Sequence, residues 1–271
     1  MSSAIDLSII IPAYMEAPGI AHSLQQLAAF LATRDYGEVE VLVVVAESVD
    51  GTAEIAARQA GYFRHFRTVE AGPRQGKGYQ VRVGMLEARG RYRVFMDADL
   101  ATPLEHLDEV HQLAHRGVHV GVAVRDLVKI HKGMLRKLTT SAGNVLAQAV
   151  LLPGIKDTQC GFKFLEAAAA VEVFGRVTIP GWGFDLEVLA IARRLGYSIV
   201  TVEVPDWHDP KPEGAGLVGD SLLKVSLQVL RDLFKVRWNT WTGRYNTLNS
   251  VHTQMHRDAR GDAPSARPPD C

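Results

Sequence analysis

Two cysteines in 271 residues, Cys160 and Cys271, cannot build a disulfide framework, so a reducing compartment is the default and stability must come from an apolar core. Charge of one sign is not in excess: 30 Lys and Arg balance 30 Asp and Glu. A chain-wide basic footprint for nucleic acid is therefore absent. No uninterrupted apolar run approaches the ~20 residues of a spanning helix. Met1–Asp6 carries no basic region and leads straight into a strand-like run, so it is not read as a signal peptide. Two phosphate-binding fingerprints are also missing. No Gly-x-Gly-x-x-Gly follows the first strand-like run. In Gly72-Pro73-Arg74-Gln75-Gly76-Lys77-Gly78 the glycine spacing is too short for a P-loop, and Gly78 stands where Ser or Thr should follow the Lys. Neither a nicotinamide dehydrogenase nor a P-loop triphosphatase is supported. There is no internal repeat.

What is present is a 47% hydrophobic chain, enough for one large domain. Leu7–Pro12, Val39–Val45, Phe66–Val69, Tyr92–Met96 and Val118–Val124 read as strands. Helical patterns lie between them: one opened by Pro18, one after Asp50-Gly51-Thr52, one running to about Arg89, and one from Thr102 to about His115. Strand and helix alternate, which predicts an α/β fold with a mostly parallel sheet covered on both faces. Later come a helix over Gly133–Leu151, an Ala-rich helix, a helix after Gly181-Trp182-Gly183-Phe184-Asp185, a last strand at Ile199–Val204, and a Pro/Gly loop over Asp206–Gly219. Ser221–Trp238 is amphipathic, with Leu223, Leu227, Leu230, Phe234 and Trp238 in one stripe and Lys224, Arg231, Lys235 and Arg237 on the other faces. The chain divides into a catalytic domain over 1–218, this helical segment over 219–245, and a polar, Pro-rich tail over 246–271 that reads as disordered.

The centre of the chain is Tyr92–Pro103. An apolar strand ends in Asp97-Ala98-Asp99, whose acids are two residues apart and so share a face. The carboxyl edge of an open α/β sheet is where ligands bind. Oxygen-only ligands at an open position suit Mg²⁺ or Mn²⁺ bridging to substrate phosphates. The alternative is that both acids only shape the turn into the next helix. Thr102, Pro103 and Glu105 spell a capping box for that helix. The Gly72–Gly78 loop, with Arg74 and Lys77, either holds phosphate through backbone N–H groups and helix dipole or is a solvated turn.

Leu-Ser-Ile-Ile-Ile-Pro-Ala-Tyr-Met-Glu, Ser-Val-Asp-Gly-Thr, Gly-Lys-Gly, Asp-Ala-Asp-Leu-Ala-Thr-Pro and Asp-Thr-Gln-Cys-Gly-Phe-Lys occur in this order. They resemble the family-2 inverting glycosyltransferases of the GT-A fold, in the branch of dolichyl-phosphate β-glucosyltransferases and their mannosyltransferase relatives. Gly219–Lys224, Arg231-Asp232-Leu233 and Thr242–Tyr245 extend the resemblance over residues 7–245.

The resemblance implies roles. Pro12, Tyr14 and Glu16 would lie at the nucleotide, with Asp50 and Lys77 near its base and phosphates. Asp97 and Asp99 would be the Asp-x-Asp pair, with Asp99 on a Mg²⁺ or Mn²⁺ ion. Arg125, Arg136, Thr140 and Lys163 would meet an acceptor phosphate. Asp185 would orient the acceptor or a sugar hydroxyl, or serve as base for a hydroxyl acceptor; by its position it could equally N-cap the helix Leu186–Leu195. Glu187 is read as structural. The implied reaction moves a hexose, glucose favoured, from a nucleotide-diphosphate donor (UDP over GDP) to a polyprenyl phosphate. It would take place at the cytoplasmic face of a membrane, reached peripherally through the amphipathic helix. That helix's apolar stripe could instead pack on the domain's own core.

Two departures bear on the donor. The acidic pair that reads the base in many members is replaced by Val45-Ala46, with Glu47 next, and the Gln that follows the second Asp in the mannosyltransferases is Ala101. The competing readings are the same fold with a soluble hydroxyl acceptor, and a degenerate protein that binds sugar nucleotides without turnover.

Overall fold

Every residue of β1 (Leu7–Ala13) is buried, and so is nearly all of β2 (Val39–Val45). Such strands belong in the middle of a sheet covered on both sides. The computed structural model, which describes residues 4–125, 151–208 and 222–247 (side chains 222–227 and 229 excepted), places them there. With β3 (His65–Glu70), β4 (Tyr92–Phe95), β5 (Val120–Arg125), β6 (Lys163–Glu166) and β7 (Ile199–Val204) they form a seven-stranded sheet in the order β3-β2-β1-β4-β6-β5-β7. The pairings β1–β2, β1–β4, β2–β3 and β5–β7 are parallel; β6 runs antiparallel to both of its neighbours.

The two-residue period of the strands sorts side chains between two cores. Ile9, Ile11, Val41, Val43 and Val94 join α1 (Ile20–Leu31) and α4 (His106–His115) on one face. Ile10, Leu42, Val44 and Phe95 join α3 (Lys77–Glu87), α5 (Ala167–Phe174) and α6 (Phe184–Arg194) on the other. The short α2 (Thr52–Ala57) packs beside α1, and α7 (Leu222–Trp241) lies against α6. The mostly parallel sheet with helices on both faces is as expected from the sequence.

Three local expectations need correcting. The chain between Asp157 and the Ala-rich helix contains β6, which the sequence reading passed over. The predicted capping box does not form: Thr102 is 5% exposed with Oγ1 4.0 Å from Cys160 Sγ, and α4 begins only at His106 after turns that bond His106 N to Pro103 O and Leu107 N to Leu104 O. Asp185 does not N-cap its helix, because α6 starts one residue earlier at Phe184 with Gly183 as its cap. The expected helix over Gly133–Leu151, all but its last residue, lies outside the described residues, as do most of the Asp206–Gly219 loop and residues 248–271. Asn246 closes a 3₁₀ turn over Arg244–Asn246.

The stripe on α7 faces outward. Leu230, Phe234, Trp238 and Trp241 are 37%, 65%, 62% and 74% exposed, and the two Trp rings stack edge to face at 5.4 Å. Asp232, Leu233, Val236 and Asn239 form the buried face. Of the two readings of this helix, core packing of the stripe is excluded for these residues. No helix among the described residues is long and apolar enough to cross a membrane.

Candidate active site

The carboxyl ends of β1, β2, β4 and β5 gather most of the predicted site residues. Past the end of β4 the strand's alternation persists: Met96, Ala98 and Leu100 are buried, while Asp97 and Asp99 are half-buried. Both acids therefore emerge on the accessible side, as their spacing predicted. Leu100 takes φ +54°, a conformation that costs a non-glycine residue of order 1–3 kcal/mol. Its N–H bonds Asp97 O at 3.2 Å, and Ala101 N donates to Asp99 Oδ1 at 3.3 Å. The turn that carries the two acids is thus held by its own backbone.

Lys77, the first residue of α3, donates to Asp97 Oδ1. Burial would lower its pKa, but Asp97, Asp185 and Asp99 outweigh burial and hold the ammonium above its ordinary value. The Gly-rich loop is fixed rather than loose: Tyr79 N bonds Pro180 O at 3.0 Å, Lys77 Nζ lies 5.6 Å from the centre of the Trp182 ring, and a Cβ on Gly78 would stand 2.6 Å from Phe184 Cβ. Arg74 stacks over the Tyr14 ring at 4.4 Å.

Behind Asp97 lies a buried ion pair. Lys163 (1% exposed) donates to Asp185 Oδ1 at 2.5 Å and to Cys160 O at 2.6 Å. Burial pushes the Asp185 carboxyl above its ordinary value, and the Lys163 and Lys77 ammonium groups offset only part of that. The expectation that Lys163 meets a phosphate is not what this geometry displays; its ammonium is spent on Asp185. Gly161 packs tightly against the acid: a Cβ there would stand 2.0 Å from Asp97 Oδ2. The same burial pushes the Cys160 thiol up to about 11, so it is inert at neutral pH.

Arg125, at the end of β5, forks onto Asp157 (Nε–Oδ2 2.6 Å, Nη2–Oδ1 3.0 Å) and lies 5.1 Å from the Trp207 ring centre. Burial would raise the Asp157 carboxyl, yet Arg125 holds it below the usual range. Asp157 opens the motif that ends in Lys163, but its role as the orienter of Arg125 is missed by sequence reasoning, because the two are 32 residues apart. Arg136 and Thr140 lie outside the described residues.

Pro12 is buried inside β1. Asp50 ties the loop after β2 to the loop after β1: Oδ2 accepts from Ala17 N at 3.0 Å, and Oδ1 accepts from Thr52 N, Thr52 Oγ1 and Ser48 Oγ. Glu16 N donates to Thr52 Oγ1 at 3.0 Å. Partial burial works to raise the Asp50 carboxyl, but these donors together lower it from 3.8 to about 2. A carboxyl depressed in the folded state stabilises above its unfolded pKa and loses that contribution as pH falls through the folded one. The melting temperature of Asp50→Ala is thus expected to lie below wild type at pH 7, with the gap closing between about pH 4 and pH 2. A gap independent of pH would assign Asp50 no such role. Glu187 is structural as read: it accepts from Thr178 N, Ile179 N and Tyr245 Oη, anchoring the chain after α7 to α6.

A mostly parallel sheet with paired acids, a helix-terminal lysine and a second ion pair gathered at its carboxyl edge is an α/β ligand site. The chain belongs to glycosyl transferase family 2, whose model matches residues 8–174. It is 30% identical over 251 residues to a dolichyl-phosphate beta-glucosyltransferase of Trichomonas vaginalis, covering 88% of this chain and 76% of that one. It is 32% identical over 222 residues to the dolichyl-phosphate beta-glucosyltransferase of Drosophila melanogaster, covering 75% and 67%. Among solved structures, the fold is shared with mannosyl-3-phosphoglycerate synthase of Rubrobacter xylanophilus (TM-score 0.63, 17% identity, 98% of this chain and 78% of that one). It is also shared with glucosyl-3-phosphoglycerate synthase of Mycobacterium tuberculosis, solved with Mn²⁺, UDP-glucose and phosphoglyceric acid (TM-score 0.61, 18% identity, 86% and 80%).

Proposed function

We propose that this glycosyltransferase moves a hexose, glucose favoured, from its UDP derivative to a polyprenyl (dolichyl-like) phosphate, with inversion and with a divalent cation. The observation that carries the reading is the placement of Asp97, Asp99 and Lys77 at one sheet edge, in a chain whose relatives bear the name dolichyl-phosphate beta-glucosyltransferase.

The donor set fits a hard cation. Asp97 and Asp99 offer oxygen alone, and among the described residues no three His, Cys, Asp or Glu side chains come together as a cage. Mg²⁺ or Mn²⁺ on such a site draws its remaining ligands from water and substrate phosphates. When bound, the ion supplies neutralisation of the charge that grows on the departing nucleoside diphosphate. Lys77 serves the same charge from the start of α3, and Tyr14, Glu16 and Asp50 border the nucleotide. Arg125, aimed by Asp157, receives the acceptor phosphate, with Arg136 and Thr140 contributing from the following segment. One phosphate oxygen forms the bond to the anomeric carbon as the bond to the donor's β-phosphate oxygen breaks. A phosphate monoester is largely dianionic at neutral pH, its second pKa being near ~6, so no protein base is needed. That suits Asp185, which is 3% exposed and engaged by Lys163, better than a hydroxyl acceptor would. Its role is to orient.

A polyprenyl acceptor resides in a bilayer. The outward face of α7, with Phe234, Trp238 and Trp241 flanked by exposed Arg231, Lys235 and Arg237, suits peripheral docking on an anionic surface at the cytoplasmic face of a membrane. The test is partition of radiolabel from a panel of UDP- and GDP-hexoses into the organic phase, with polyprenyl phosphate and Mg²⁺ or Mn²⁺, with and without chelator. Metal-dependent transfer from UDP-glucose is expected. Metal-dependent donor hydrolysis without transfer would shift the assignment to a soluble acceptor, and nucleotide binding with neither would make the protein a degenerate binder.

A further inference from the structure

The Arg231-Asp232-Leu233 motif has no part in the chemistry above, yet it puts an acid where acids are costly. Asp232 is 9% exposed on the inner face of α7, and its Oδ2 is buried with no hydrogen-bond partner. Burial raises its carboxyl, with Glu187 of α6 adding to the rise and Lys235 and Arg231 of α7 opposing it. A buried carboxylate oxygen without a hydrogen-bond partner is costly, so its placement needs a reason.

Its neighbour supplies one. A Cβ on Gly183 would stand 2.3 Å from Asp232 Oδ2 and 2.6 Å from Asp232 Cβ. Gly183 is the N-cap of α6, and α6 has no side-chain cap of its own. The first N–H groups of a helix lack internal partners and carry the positive end of its dipole, which favours a carboxylate. Asp232 sets its carboxylate against Gly183 at that helix start, with Oδ2 making no hydrogen bond. Two residues past Gly183 stands Asp185, and one residue before it Trp182, whose ring faces Lys77. The same strap is touched again from α7, where Gln228 Nε2 lies 2.9 Å from where a Cβ on Gly181 would be.

We propose that Asp232 is a positioning residue for the transfer reaction, which packs Gly183 against α7 and thereby sets Trp182 beside Lys77 and Asp185 beside Lys163. The helix whose outer face carries Phe234, Trp238 and Trp241 then carries on its inner face the contact that fixes the strap. This deepens the acceptor reading above and rests on it.

The experiment compares wild type with Asp232→Asn, which keeps shape and removes charge. Transfer is measured from UDP-glucose to polyprenyl phosphate in anionic vesicles with Mn²⁺, alongside calorimetric titration with UDP and Mn²⁺ and a thermal melt. Misplacement of a strap at the reacting centre is worth about 10- to 100-fold in kcat. That loss is expected to exceed any loss of UDP affinity by about tenfold or more, although the strap also touches the Gly-rich loop through Tyr79 and Lys77. Gly183→Ala, which drives a methyl into Asp232 from the other side, is expected to give the same split, and it stands in should the Asn variant not fold. Wild-type turnover in both variants overturns the proposal. So does a parallel fall of transfer, UDP affinity and melting temperature, which is the mark of a merely structural residue. A wild type that binds UDP but does not transfer overturns the acceptor reading and this inference with it; an active wild type with unaffected variants overturns this inference alone.

Discussion

Asp99→Ala is expected to abolish transfer, by about 10³-fold or more, while the protein stays folded. Removing one preorganised electrostatic partner of a transition state costs about 10²–10³ in rate, and an acid proposed to hold a charge-neutralising cation as well should lie at or beyond the upper end. The fold cost is small by comparison. Asp99 is half-buried at the sheet edge, and its hydrogen bond from Ala101 N is long at 3.3 Å. Initial rates in the partition assay, with a thermal melt on the same preparation, check this. A folded Asp99→Ala protein that still transfers at an appreciable rate would remove the acid pair from the mechanism. Asp97→Ala should be less clean, because it also strips Lys77 of the carboxylate it donates to.

Lys163→Met is expected to be the most destabilising single change at the site. It removes the counter-charge of Asp185, which is 3% exposed and lies 2.5 Å from Lys163 Nζ. Breaking a buried pair from one side costs about 3–5 kcal/mol, because a charge is left buried without compensation. For a domain of this size that is a fall in melting temperature of roughly 6–20 °C. The deficit carries a sign in pH. Asp185 is already shifted upward in the folded state, and loss of Lys163 raises it further. A raised acid is stabilising when protonated, so the variant should recover stability as pH falls below its folded pKa. Lys163→Met with Asp185→Leu should regain much of the loss, as replacing a whole buried pair by apolar groups often does. A Lys163→Met protein that melts with wild type at pH 7 would show the pair to be unimportant.

The strands that position the site were readable because each is a run of β-branched residues buried on both faces; β2 is Val39–Val45 in prediction and structure alike. Asp97 and Asp99 were readable for a related reason, since alternation survives past the strand end. β6 was not. Four residues, with Lys163 at one end and Glu166 at the other, carry too little apolar periodicity to register, and their burial comes from being inserted between β4 and β5. The Thr102 cap was misread because local cap chemistry lost to tertiary packing, which drew that side chain inward toward Cys160. Lys163 and Asp185 were each singled out, but the 22 residues between them hide their pairing. On α7 the period was right and the direction of the stripe was not encoded, because a helical period says which residues share a face and not what that face meets.

The reversal of β6 has a consequence for how such a site can diversify. Because β6 runs against β5, its first residue, Lys163, returns to the edge that Arg125 has just left. The connection from β5 to β6 therefore leaves and rejoins the sheet at one edge. With both ends set by strand pairing, an insertion between them adds closure cost only slowly, about 0.6 kcal/mol for each doubling of length. The proposed donor side, which follows β1, β2 and β4, is tied to the core by strand pairing at each of them. If the acceptor side lies at that connection, as proposed, new acceptors can be tried by insertion at one place while the strands of the donor side stay as they are.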